Sequence, residues 1–157
     1  MQYLPALQNL GVEVTVYPRR REDYIRRLYS GQPTSWLEVA IDYLKQIIRL
    51  FHAGNYDCLW IEKEIFPNFP SWAEQLLKSM HIPYVVDYDD ATFHNYDLSG
   101  SPLKRLLARK IDKVMAGAEL VVCGNEYLAD RARAAGAARI ELVPTVIDLE
   151  RYSVASK

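Results

Sequence analysis

The chain has 157 residues, half of them hydrophobic and a quarter charged, the composition of a globular domain with room for one real core. A formal net charge of −1 argues against a general nucleic-acid binder, and no apolar run approaches the length of a membrane span. The two cysteines, Cys58 and Cys123, each lie in an apolar run without metal-ligand spacing, so both are expected as buried, reduced thiols of a cytoplasmic protein.

Leu4, Leu7 and Leu10 share one face of a first helix that Gly11 stops. VEVTVY (12–17) alternates with period two and reads as a strand. RRREDYIRRLY (19–29) reads as a short charged helix, and Glu22 and Asp23 within it favour a solvated face over an anion site. The strongest helix follows. Ser35 and Glu38 form a capping box, Trp36, Leu37, Ala40, Ile41, Leu44, Ile47, Ile48 and Phe51 recur at helical spacing, and Gly54 ends it.

From there strands and helices alternate. YDCLWIE (56–62) is a strand and SWAEQLLKSM (71–80) a helix with a second box, Ser71 and Glu74. PYVVDY (83–88) is a strand. Ser101 and Pro102 open a helix through Ala116, with Leu103, Leu106, Leu107, Ile111 and Val114 inward and Lys104, Arg105, Arg109, Lys110 and Lys113 on the wet side. ELVVCG (119–124) is a strand, Asn125 caps a helix that Gly136 closes, and RIELVP (139–144) is the last strand. His52 and His81 fall at helix C-termini, and the three tryptophans are expected in the core. Short apolar strands alternating with amphipathic helices predict an α/β fold, a parallel sheet flanked by helices. Strands that are continuously apolar predict burial on both faces.

Ligands of such sheets bind beyond the carboxyl ends of the strands. The residues there are Pro18, Arg19 and Arg20; Glu62, Lys63 and Glu64; Asp87, Asp89, Asp90 and His94; Gly124, Asn125 and Glu126; Pro144 and Thr145. This rim, rich in carboxylates, suits hydrogen bonding to a polyhydroxylated ligand, although each residue alone reads better as a solvent-facing loop or cap residue, and only together do they make a candidate site. In YVVDYDDATFH (84–94) three carboxylates sit within four residues, and ionised neighbours this close call for compensation by a metal, a cation, a helix N-terminus or solvent. Asp87-Tyr88-Asp89 resembles the Asp-x-Asp of haloacid-dehalogenase-type phosphohydrolases, in which the first aspartate is nucleophile and the second general acid around Mg²⁺. This chain has Ala91 where that family has Thr or Val, and two strand-like segments precede the pair.

The order of YLPALQNLGVEVTV, YDCLWIEKEIFP, IPYVVDYDDATFH and AELVVCGNEYLADRARAAGAARIELVPTVIDLERY resembles the N-terminal domain of a group 1 (family 4) glycosyltransferase of the GT-B fold. Its most specific part is the tail, where Pro144-Thr145-Val146-Ile147-Asp148 stands at the family's Pro-Asn-Gly-Val-Asp turn. The resemblance implies a Rossmann-like domain over residues 1–152 that lacks the usual first strand, with 153–157 beginning a linker. It implies a sugar acceptor bound by this half and a nucleotide-sugar donor bound by a second, C-terminal domain with the family's glutamate pair, generally without metal or other cofactor and with retention at the anomeric carbon. On that reading the fragment is inactive by itself. Asp89 and His94 become the catalytic candidates, and Glu62, Glu64, Asp90, Asn125, Glu126 and Thr145 the acceptor-binding ones. An unpaired strand edge invites a homodimer, and the aromatic and basic residues near the rim are compatible with peripheral membrane contact. The alternatives are the Mg²⁺ phosphohydrolase using Asp87 and Asp89, and an α/β interaction module without chemistry.

Overall fold

The computed structural model describes residues 4–18 and 36–144. The chain divides into two units, Tyr43–Thr145 and a second made of Met1–Asp42 with Val146–Lys157. In the second unit, helix α1 (Leu4–Asn9) ends where Gly11 takes φ +78°. The Gly11 and Val12 amides close it onto the carbonyls of Gln8 and Leu7. Residues 12–18 have no regular structure, so the strand expected over 12–17 is not formed. Alternation supplies strand propensity, but a strand exists only by hydrogen bonding to a neighbour, and the described residues of this unit include no other strand. The charged segment 19–29 and the Ser35 half of the first capping box lie outside the described residues. The long helix is present as α2 (Trp36–Phe51), and the boundary between the units falls within it.

The unit Tyr43–Thr145 holds a four-stranded parallel sheet in the order β1 (Leu59–Glu62), β2 (Tyr84–Tyr88), β3 (Leu120–Cys123) and β4 (Ile140–Leu142). Ile61 pairs with Val86, which pairs in turn with Val121. Between the strands run α3 (Trp72–Ser79), α4 (His94–Asp97), α5 (Pro102–Arg105), α6 (Lys110–Gly117) and α7 (Glu126–Ala135). Among the described residues no helix is long and apolar enough to cross a membrane.

Tyr84, Val86 and Tyr88 point into the core with Leu77 of α3, Ile111, Val114 and Met115 of α6, and Leu128 and Ala132 of α7. The Tyr84 hydroxyl donates to Val114 O at 2.9 Å, and Gly117 is required beside it, since a Cβ there would stand 2.3 Å from the hydroxyl. Burial on both faces holds for β3, where Val121, Val122 and Cys123 are all buried. On β1 only Ile61 is buried, and Trp60 and Glu62 are exposed, because an edge strand gains cover from one side only.

Other expectations are corrected. Cys58 is exposed, sitting just before the edge strand, while Cys123 is buried; both are free thiols. Trp36 and Trp60 are exposed, and Trp72 stacks on Phe66 at 5.0 Å with one face still in solvent. The Ser71–Glu74 box is not made. Ser71 Oγ accepts from the Gln75 side chain, and Glu74 turns inward to accept from Ile65 N at 2.8 Å. The helix expected over 102–116 is two pieces. The amides of Leu107, Ala108 and Lys110 bond to carbonyls three residues back, a tighter winding that separates α5 from α6. Lys110 therefore goes into the core, while Leu103 and Leu106, expected inward, face solvent.

Candidate functional site

Because all four strands are parallel, their carboxyl ends lie on one edge of the sheet. β2 is interior to the sheet, so its loop stands between the loops that follow β1 and β3. Lys63 follows β1 directly. Its amide extends the ladder to Asp87 O at 3.0 Å, and Glu64 N then bonds back to Glu62 O at 2.9 Å across Lys63. This tight turn holds Lys63 at φ +67°, a conformation costing a non-glycine residue on the order of 1–3 kcal/mol. The turn sends the side chain across to the β2 loop. Lys63 Nζ lies 3.0 Å from Asp89 Oδ1 and 2.9 Å from Asp90 Oδ2. Here is the compensation for two of the three clustered carboxylates, a cation that follows the neighbouring strand.

The electrostatics follow. The hydrogen bond from Lys63 holds the Asp89 carboxyl below the usual carboxylate range, and its bond to Asp90 raises the Lys63 ammonium. Asp87 is not paired with Lys63, and Trp60 and the more distant Lys63 charge offset its environment only in part. Partial burial pushes it up, and the charge of Asp89 adds to that. Among the described residues no three His, Cys, Asp or Glu side chains are placed to hold a metal ion.

His94 opens α4 and is held from two sides. Nδ1 lies 2.9 Å from Asp97 Oδ1, three residues on, and Nε2 lies 2.7 Å from the Tyr127 hydroxyl on α7. A carboxylate can only accept, so the proton of a neutral His94 sits on Nδ1 and the Nε2 lone pair receives the Tyr127 hydroxyl. Asp97 is itself fixed. Arg131 NH1 reaches its other oxygen at 3.3 Å, Arg131 Nε donates to Asp112 at 2.7 Å, and the guanidinium lies 4.6 Å over the Phe93 ring. The imidazole thus has one tautomer, one orientation and an Nε2 lone pair capped by the exposed Tyr127 hydroxyl, oriented by a third group as general-base histidines are.

The remaining candidates divide. Asn125 caps α7, its Oδ1 accepting from Leu128 N at 3.0 Å, and Gly136 closes the helix at φ +84°. Glu126 is exposed and paired with Arg133. Glu62 is exposed at the end of β1, level with Asp87. Glu64 turns away from the rim into the core, where its carboxylate is held by Lys110 and accepts the Tyr96 hydroxyl at 2.8 Å. Thr145 lies outside the described residues. The edge therefore brings Asp89, Asp90 and Lys63 together on one side, and His94, Asp97 and Tyr127 on the other. Asp97 had a sequence signal, its spacing of three from His94. Tyr127 and Arg131 had none, because only the packing of α7 beside the β2 loop makes them neighbours.

An open parallel sheet with helical crossovers and its polar cluster at the strand ends defines a Rossmann-like α/β domain. The family model of Glycosyltransferase Family 4 matches residues 1–151, and the chain belongs to that family. No curated protein and no solved structure gave a match.

Proposed function

We propose that residues 1–152 form the acceptor-side domain of a glycosyltransferase that moves a sugar from a nucleotide-sugar donor to a hydroxyl-bearing acceptor, with residues 153–157 leading toward the donor domain. His94 takes the central role. An acceptor hydroxyl displaces Tyr127 from Nε2 and donates its proton there as its oxygen bonds to the anomeric carbon and the bond to the leaving diphosphate breaks. Asp97 holds the tautomer and stabilises the imidazolium that forms. Asp89 and Asp90, oriented by Lys63, accept hydrogen bonds from other hydroxyls of the acceptor, and Glu62 and Glu126 extend the rim. The leaving diphosphate needs stabilisation from the donor side, so this half by itself gives no turnover. The observation that carries the reading is the His94–Asp97–Arg131 chain at the sheet edge of a family 4 domain.

The test is kinetic, in the two-domain enzyme. His94→Ala is expected to lower kcat about 10²–10⁴-fold, the range for losing a general base, and Asp97→Asn to lower it less. Unchanged transfer rates in both variants would reduce the cluster to a solvated loop.

A further inference from the structure

From the end of α4 to the start of α6, residues 98–109 read LSGSPLKRLLAR and contain no acidic residue. Leu98, Leu103 and Leu106 are 72%, 73% and 81% exposed. Leucines of this exposure are unusual within one short segment, and here the break after α5 turns two of them outward. Leu103 lies in α5 and Leu106, three residues on, is its C-cap in helical backbone conformation, so the two share a side. Arg105 Nε donates to Ser99 O at 2.9 Å and ties the preceding loop, with Leu98, to the same helix. Interleaved with the leucines are the exposed cations Lys104, Arg105 and Arg109, and Lys113 follows. The carboxylates bordering the segment, Asp97 and Asp112, are both turned to Arg131 and neutralised there. The segment is left as exposed leucines set among cations that no described carboxylate pairs.

We propose that this surface docks on a membrane carrying anionic lipid, with the three leucines entering the headgroup and acyl boundary and Lys104, Arg105 and Arg109 meeting lipid phosphates. Charge selects this occupant. A protein interface buries its apolar centre and keeps charge to the rim, whereas here cations and leucines alternate along the chain, the pattern of interfacial segments. The surface continues directly from α4, so docking holds His94 near the headgroups and narrows the acceptor to one carried by a membrane. That consequence rests on the acceptor-side reading; the docking does not.

Vesicle flotation with this chain separates the two, since it reads binding without any transfer. Vesicles of phosphatidylcholine with about 30% phosphatidylglycerol are expected to carry the protein at low salt, and phosphatidylcholine alone to carry little. Leu103→Glu with Leu106→Glu is expected to weaken binding at least about tenfold, and Lys104→Gln or Arg109→Gln about fivefold each, with unchanged circular-dichroism melting because the side chains are exposed. Absence of wild-type binding to the anionic vesicles would overturn the proposal. So would equal binding by the leucine and cation variants, or leucine-dependent self-association in sedimentation velocity without vesicle binding.

Discussion

Lys110 lies almost wholly inside the protein. Its side chain is 1% exposed and that of its partner Glu64 is 7% exposed. The ammonium also donates to Phe66 O and lies 5.5 Å from the centre of the Tyr96 ring, whose hydroxyl bonds Glu64. Lys110→Met keeps most of the apolar stem and deletes the charge. Breaking a buried pair from one side destabilises by about 3–5 kcal/mol. Glu64 has an escape, which is to take up a proton and keep its bond with Tyr96. At pH 7 that costs about 1.36 kcal/mol for each of the roughly 2.7 pH units separating an ordinary glutamate from neutrality, or about 3.7 kcal/mol. Phe66 O, left without its donor, adds about 1 kcal/mol. The expected loss at pH 7 is therefore about 4–5 kcal/mol, a fall in Tm of about 8–20 °C for a chain of this size. The protonation part carries a pH signature. In the variant, burial without a cation opposes the charged form of this carboxyl, so the deficit shrinks as pH falls toward about 5. Glu64→Gln added to Lys110→Met is expected to recover stability to within about 2 kcal/mol of wild type, because the uncompensated charge is gone. Urea unfolding followed by circular dichroism at both pH values measures all of this. A loss under about 1 kcal/mol in the single variant, or a loss independent of pH, would refute the reasoning.

Burial raises the Glu74 carboxyl above its ordinary value, and its Oε2 is buried without a hydrogen-bond partner among the described residues. A carboxyl with a raised folded-state pKa contributes stability that is complete below the unfolded value and is lost as pH rises through the folded one. Glu74→Gln is thus expected to gain on wild type as pH rises from about 4 to 7 in parallel urea titrations, and a constant difference would contradict it. Gly117→Ala places a methyl against the buried Tyr84 hydroxyl and is expected to lower stability by about 1–3 kcal/mol despite the better helix propensity of alanine, as read by thermal melting. A more stable variant would show that Tyr84 can move.

Patterns that depend on near neighbours were legible in the sequence. Asn125 and Gly136 bound α7, Gly11 stops α1, and the four apolar runs from YDCLWIE to RIELVP became the parallel sheet. The failures share a cause, a distant partner that redirects a local preference. Glu74 has capping-box spacing, but Ile65 N takes its carboxylate. Lys110 has the periodicity of a wet face, but Glu64 draws it inward and the helix breaks ahead of it. Glu62, Lys63, Asp87, Asp89, Asp90, Asn125 and Glu126 stand at the strand ends, as sheet topology requires, whereas Glu64 turns into the core. The internal wiring of this rim was not readable, because Lys63 to Asp89 and His94 to Tyr127 are contacts between residues that follow different strands.

The central claim is that this domain serves the acceptor side of family 4 glycosyl transfer and leaves the activated sugar to another domain. Isothermal titration of the chain with UDP-glucose, UDP-N-acetylglucosamine and GDP-mannose tests it most directly. The account predicts no saturable heat with any of them at concentrations up to about 1 mM. Saturable binding with a Kd of about 1–10 μM would contradict it and place donor recognition in this half.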